Sequence, residues 1–544
     1  MREWARPIEP GGIWGESASR RARLRPRPPA HLLARSQVTE RQPRLPTVPS
    51  TSSTARALTA LTTALTSPLT AVLGWGCLLI AAWVSATDDG QWVFKLDSFV
   101  YYYAVDQWHA GGGLYDWYAN PAQHLWPFTY TPLAAWVLTP MTALTYEWAT
   151  ALLVASTPLC AGLTAWALLR ALQGGGAAAP SASHPAPPAP CPARARPDWR
   201  DPRLARGLAP WLGLAGVMLL EPFPKTMEYA QVNAILMAMV ALDVLAVPAR
   251  SRWRGALSGL AAAIKLTPAI AVLALVARGE WRAAATMVGS AVGLTALAAL
   301  ASPTETLEFF TRAMWDSGRA GFADYSGNQN LKGAIARGLP EPLWTPAWAA
   351  CALVAVLAAW LLCRRLDALR PRPTAPGERA ADDAPAGAPA AMPSTGAPAT
   401  RPTCPPACPT APALEAAGPE AGLILALQLS TVMVLGLLIS PISWSHHWVW
   451  GLPALVSLAT AAHRWRSRAL AAAAIGGVMV LLLAMQWWFP EQNHVEQHWP
   501  AWAKALGSSY TWWALGAGAV LWRAAGHRPR GDRAEPPPRT PREK

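Results

Sequence analysis

The chain has 544 residues, of which 52% are hydrophobic and only 14% charged, against about 25% charged in typical soluble domains. With thirty tryptophans, many at the ends of apolar runs where indole rings settle at headgroup level, this excludes an ordinary soluble protein. The net charge of +14 sits on arginines beside apolar runs and in Pro-rich stretches, which marks orientation in a bilayer rather than a nucleic-acid surface.

Residues 1–60 are Arg-, Pro- and Ser/Thr-rich and hold too few apolar residues for a core, so they are predicted to be a disordered cytoplasmic tail. The first apolar run begins only near Leu69, too late for a cleavable signal peptide. A membrane domain is expected over 61–524, with Ala/Pro-rich inserts at 173–205 and 364–418 and a second basic tail at 525–544. The seven cysteines are scattered, and the pair Cys404 and Cys408 has no second pair to complete a zinc site or a disulfide framework.

Apolar runs lie near 69–86, 131–142, 148–171, 207–220, 232–247, 254–277, 283–301, 346–362, 421–439, 447–462, 469–487 and 509–522. A full crossing needs about 20 apolar residues, and helices buried in protein can be shorter. The fold expected is all-α: a polytopic bundle of about 10–14 membrane helices, short broken ones among them. Basic clusters at Arg170, Arg250/Arg252/Arg254, Arg278/Arg282, Arg364/Arg365, Arg464/Arg466/Arg468 and Arg523 all belong inside. Simple alternation fails over 254–277, which has arginines at both ends. A bend at Ile264-Lys265-Leu266-Thr267-Pro268 repairs it, because Pro268 disfavours helix at Thr267. Ser156-Thr157-Pro158 is expected to turn the run 148–171 back in the same way.

This arrangement places Asp97 and the loop to Tyr130 outside, together with 221–233, the Lys265 bend, 315–333, 440–447 and 492–502. The polar islands thus share one face. Asp97 opens a helix expected to lie in the interface, with Phe99, Val100, Tyr103 and Trp108 toward lipid and Gly111-Gly112-Gly113 ending it. Asp97 is the candidate base, though an Asp there also suits a helix N-terminus. Asp88 and Asp89 are competing carboxylates that are expected to be simply solvated. Lys265, a cation inside an apolar run, marks a functional site and suits an anion such as phosphate. His446 and His447 point about 100° apart on a helix, so they cannot chelate as an i, i+4 pair would; one imidazole donating to a phosphate oxygen fits better than a metal site. Glu221, Glu228, Tyr229, Gln231 and Asn233 offer donors and acceptors for sugar hydroxyls, and Trp315, Asn328 and Gln329 stand in a long loop able to close over an acceptor. No nucleotide, zinc-peptidase or serine-hydrolase motif is present.

The segments Asp97-x-x-Val100-Tyr101, Gly113-Leu114-Tyr115-Asp116, Pro127-Phe128-Thr129-Tyr130-Thr131-Pro132, Tyr229-x-Gln231-Val232-Asn233, Ala263-Ile264-Lys265-Leu266-Thr267-Pro268, Gly327-Asn328-Gln329 and Ser440-Pro441-Ile442-Ser443-Trp444-Ser445-His446-His447 follow one another in an order that resembles glycosyltransferase family 87. The resemblance covers Leu69 to Trp522 without the two inserts. Thr131 replaces a usual Pro, Ala230 a usual Gly, and Asn330 and Lys332 a usual Ser and Arg, differences that bear on the acceptor. The resemblance implies a C-type glycosyltransferase fold with its active site facing the extracytoplasmic side. It also implies a polyprenyl-phosphate-mannose donor, a glycolipid or glycan acceptor, and an α-mannoside formed with inversion. Asp97 would then be the base, Lys265, His446 and His447 would meet the donor phosphate, and Tyr101, Tyr130, Glu221, Tyr229, Gln231, Asn233, Trp315, Asn328 and Gln329 would line the substrates. No cofactor or metal is called for, since the lipid carries the activated sugar. Two alternatives stay open: a transferase using another lipid-linked sugar such as arabinofuranose, and a transporter or flippase, for which pseudo-repeats with mid-membrane polar sites would be expected.

Overall fold

In lipid every backbone N–H and C=O must be satisfied within the chain, so apolar runs become helices. The computed structural model describes residues 94–173, 213–370, 418–491 and 493–528, with scattered positions between 76 and 92. The basic tail expected over 1–60, most of the first apolar run, Asp89, Cys404, Cys408, and most of both inserts and of the C-terminal tail fall outside the described residues. The described residues all belong to one compact unit.

The helices, in chain order, are α1 (Leu96–His109), α2 (Pro132–Leu138), α3 (Tyr146–Leu172), α4 (Pro222–Tyr229), α5 (Asn233–Ala241), α6 (Ala256–Ile264), α7 (Val272–Ala277), α8 (Trp281–Ala301), α9 (Pro303–Glu308), α10 (Leu331–Gly338), α11 (Trp344–Asp367), α12 (Pro419–Ile439), α13 (Gly451–Arg464), α14 (Arg468–Leu483), α15 (Ala501–Leu506) and α16 (Ser509–Gly526). Among the described residues strand is confined to short ribbons such as Tyr118–Asn120 against Leu125–Pro127. By length and composition, α3, α8, α12, the stretch Glu341–Asp367 and the stretch Arg468–Trp487 can cross a bilayer, and Asn233–Ala246 and Thr267–Ala277 are shorter apolar helical stretches. The fold is therefore a polytopic helical membrane bundle.

Three of the long helices define two ends. α3 begins where Tyr146 hydrogen-bonds the Lys95 carbonyl and ends where Arg464 donates to the Leu172 carbonyl. α12 begins at Pro419, whose carbonyl also accepts from Arg464, and ends at Ser440, whose carbonyl accepts from Asn330. α8 begins beside the Arg254–Glu280–Arg278 cluster and ends beside Ser302, which bonds Trp136. At 1.5 Å per residue these helices separate the ends by about 30 Å, the thickness of a hydrocarbon core. One end holds the arginines that flank these apolar runs, Arg254, Arg278 and Arg464. The other holds the polar islands, with Arg312, Arg319 and Arg337 among them.

The run 254–277 does return on itself. Arg254 and Arg278 both donate to Glu280, at 2.8 and 2.7 Å, so the run finishes at the level where it began. Between them α6 stops, Lys265 adopts an extended conformation, and the chain turns through Thr267–Ala271 into α7.

Two expectations are corrected. The run 148–171 is not a hairpin: α3 is one continuous helix with Pro158 inside it. A proline costs one backbone bond, here the one to the Val154 carbonyl, and the remaining bonds of a 27-residue helix carry it through. The charge balance is kept instead by α2 and the turn Thr139–Ala143, which stay at the polar end, where Thr139 meets His109 and the Leu144 carbonyl meets Tyr102. The second correction concerns α1. Val100 does not face lipid but packs inward with Ser98, Tyr101, Ala104 and Val105, the buried stripe of the helix.

The Arg254 and Glu280 side chains are only 3% and 14% exposed. Breaking a buried pair costs about 3–5 kcal/mol because it strands the partner charges. Glu280→Ala is therefore expected to lower the thermal unfolding midpoint of the purified protein markedly, and an unchanged midpoint would contradict the clasp.

Candidate active site

α1 starts with an uncapped Lys95, and Asp97 falls in its first turn, where the helix dipole favours a negative charge. Next to it stands Gln231, on the short link between α4 and α5. The Gln231 Oε1 lies 2.8 Å from the Tyr101 phenol and 2.9 Å from the Tyr130 phenol, and those two oxygens are 2.7 Å apart. Only hydroxyl donors face that oxygen, so the amide N–H2 is left to favour the charged form of the Asp97 carboxyl. Burial pushes the Asp97 carboxyl up to about 6, while the Gln231 amide and the Lys265 charge pull it down.

Lys265 reaches the same cluster from the break between α6 and α7. Its ammonium donates to the Tyr130 phenol at 3.2 Å and to Asn233 Oδ1 at 3.0 Å, and lies 4.9 Å from the centre of the Tyr130 ring. The break frees carbonyls that must find donors, and the Thr131 hydroxyl takes those of Ala263 and Ile264, at 2.5 and 3.1 Å. A proline at 131 could not make these bonds. Ala230 closes α4 with φ of 52°, a left-handed turn where glycine is sterically at ease.

The His446 carbonyl accepts from Thr226 at 3.1 Å and Asn233 at 3.4 Å, which seats the 445–450 turn on α4 and α5. The imidazole stacks 4.9 Å from Tyr229 and is 5% exposed, with Nε2 lacking a hydrogen-bond partner. Burial first, then the charges of Lys265 and Lys225, hold His446 well below the usual histidine range, so it is neutral. It offers a hydrogen bond, not a charge. His447 meets it edge-to-face and lines a small cavity with Asn233, Pro268, Ser440 and Ser443.

Asp97, Tyr101, Tyr130, Tyr229, Gln231, Asn233, Lys265, His446 and His447 are thus brought together. The remaining candidates are placed otherwise. Glu221 is locked by Ser445 and Trp487, each at 2.7 Å, and by Tyr510 at 2.9 Å. Asn328 bonds the Ala323 carbonyl and the Ser443 N–H, and Gln329 bonds the Ser326 and Gly507 carbonyls. These three fasten loops to one another. Trp315 is 73% exposed with its indole N–H on the Phe310 carbonyl. The 302–343 segment is not a bare loop, for it folds into α9, α10 and short turns. Sequence inspection missed Lys225, Tyr325, Trp487 and Glu491 at this end, although Trp444 lay inside a segment already singled out.

The cluster pairs a proton acceptor with a cation at one end of a membrane bundle, which suits group transfer from a lipid-borne anion rather than nucleotide chemistry. A sequence profile described as glycosyltransferase family 87 matches residues 128–380. A Mycolicibacterium smegmatis protein named polyprenol-phosphate-mannose-dependent α-(1-2)-phosphatidylinositol mannoside mannosyltransferase is 30% identical over 455 residues, covering 81% of this chain and 86% of its own. A Mycobacterium tuberculosis protein of the same name is 28% identical over 440 residues, covering 78% and 84%. A second M. tuberculosis protein, a polyprenol-phosphate-mannose-dependent α-(1-2)-phosphatidylinositol pentamannoside mannosyltransferase, is 28% identical over 255 residues, 46% of this chain and 44% of its own. No solved structure matches the chain. The bundle and its relatives define a membrane glycosyltransferase. The chain belongs to glycosyltransferase family 87.

If Gln231 holds Asp97 in its charged form, removing the amide raises the carboxyl further. A base works only when deprotonated, so turnover is expected to fall as pH drops through about 6, and in Gln231→Leu the fall is expected at higher pH. An acid limb that does not move would contradict the amide's role.

Proposed function

We propose that this chain transfers a mannosyl residue from a polyprenyl-phosphate donor to a mannosylated lipid or envelope-glycan acceptor, at the extracytoplasmic end of the bundle. The observation that carries this is the convergence of Asp97 and Lys265 through Gln231, Tyr130 and Asn233. Relatives named for a polyprenol-phosphate-mannose donor and phosphatidylinositol mannoside acceptors supply the substrate classes. The arginine-rich end supports the orientation, since basic flanks stay in the cytoplasm.

The step is a single displacement. Asp97 takes the proton of the acceptor hydroxyl, whose oxygen bonds to the anomeric carbon as the bond from that carbon to the phosphate oxygen breaks. The polyprenyl phosphate leaves carrying the electron pair, and its charge grows beside Lys265, with the neutral His446 imidazole as a hydrogen-bond donor. Displacement from one face inverts the anomeric carbon, so a β-linked donor yields an α-mannoside. Tyr130 and Gln231 tie the base to the cation, and hold both before substrate arrives.

Asp97→Asn is expected to express and insert normally yet lose transfer from synthetic polyprenyl-phosphomannose by a factor of about 10² or more; normal turnover by that variant would remove Asp97 as the base. Lys265→Ala is expected to harm use of the donor more than of the acceptor, and an unchanged donor KM and rate would count against a phosphate contact.

A further inference from the structure

The geometry points to an acceptor-sugar subsite on an aromatic wall beside Asp97, built from Tyr229, Tyr325, Trp444 and Glu491 and occupied by a pyranose ring of the acceptor glycan. The assignment rests on Asp97 being the base and says where the molecule that Asp97 deprotonates is held.

Tyr325 lies 5.7 Å from Trp444 and 6.1 Å from Trp487, in edge-to-face contacts. None of these rings is fully buried, and they stand on the segments 321–330, 440–447 and 484–491, which connect the long helices; Tyr229, the last residue of α4, is also partly exposed. Trp444 is held in place from behind. Gly321 has φ of +120°, and a Cβ there would come within 2.8 Å of the indole, so the backbone passes directly against the ring edge. Glu491 accepts the Ser326 hydroxyl at 2.9 Å, which fixes a carboxylate beside Tyr325 at the margin of the aromatic surface.

The wall reaches Tyr229 through Lys225, whose ammonium lies 4.9 Å from the centre of the Trp487 ring and 5.8 Å from that of Tyr229. Tyr229 in turn is 4.9 Å from His446 and stands two residues before Gln231, which holds the Tyr101 phenol one turn along α1 from Asp97. A pyranose has a C–H face and a rim of hydroxyls. Aromatic faces cover the first, as they do any apolar surface with a polar edge, and an ionised carboxylate accepts hydrogen bonds from the second. The donor's phosphate belongs to Lys265, in the break between two membrane helices. The wall lies beyond that layer, where a glycan arriving from water meets Asp97 first.

The test measures acceptor and donor KM separately, using synthetic polyprenyl-phosphomannose and a synthetic mannosylated phosphatidylinositol. Trp444→Leu is expected to raise acceptor KM about tenfold while donor KM moves less than about threefold. Trp444→Tyr, which keeps a ring face, is expected to recover most of the loss, and Glu491→Gln to raise acceptor KM in the same direction. Recovery by tyrosine separates stacking from misfolding. Should the leucine variant fail to fold, the Glu491→Gln measurement decides alone. An unchanged acceptor KM, or equal rises in both constants, overturns the subsite while leaving Asp97 as the base. A fully active Asp97→Asn would instead remove the reading beneath it.

Discussion

One amide holds this active site together. Gln231 bonds two phenols through its oxygen and lowers the pull of burial on Asp97 through its amide group, and one of those phenols also receives Lys265. Four separate stretches of chain meet there: α1, the segment before α2, the α4–α5 link and the α6–α7 break. A carboxylate and an ammonium placed in direct contact would neutralise each other and leave little for a substrate. Here they are spaced by a tyrosine and an amide, close enough to share a substrate and far enough apart to keep separate roles.

The rest of the bundle serves that spacing. Lys265 can only reach the cluster because its helix stops, and it can only stop because other groups satisfy the freed carbonyls. Thr131 does so from one side, and the paired arginines on Glu280 return the chain to its starting level from the other. The α4–α5 link is held by Thr226 and Asn233 on the His446 carbonyl. Below it Glu221 ties the same region to Ser445, Trp487 and Tyr510. These bonds sit in a low-dielectric surround where an unmade one is costly, so the polar end behaves as a single fastened layer.

Much of this was legible in the sequence, and for physical reasons. Arginines flank apolar runs on one side only, so their positions reveal which ends lie together, and a run with arginines at both ends must fold back. That logic found the Lys265 break. It failed at Pro158, because a long membrane helix can run on past a proline at the loss of one backbone bond, as α3 does over 27 residues. Asp97, Lys265 and Gln231 stood out as polar groups with no reason to be among apolar neighbours. Glu221 stood out at a break between helices and Asn328 and Gln329 as amides in a long loop, yet they hold loops together. An amide that binds a backbone and one that binds a sugar are the same residue until coordinates show what already occupies its donors and acceptors. Tyr325 and Glu491 were invisible for the opposite reason, since aromatic and acidic residues in polar loops attract no notice until they are seen to meet.

The spacing of base and cation around one substrate is the central claim, and a structure with a non-hydrolysable polyprenyl-phosphosugar bound tests it most directly. The account predicts the phosphate within about 3 Å of the Lys265 ammonium, with the anomeric carbon opening toward Asp97 across the Tyr130–Gln231 bridge. A phosphate bound away from Lys265, or a sugar whose reacting face is turned from Asp97, would contradict it.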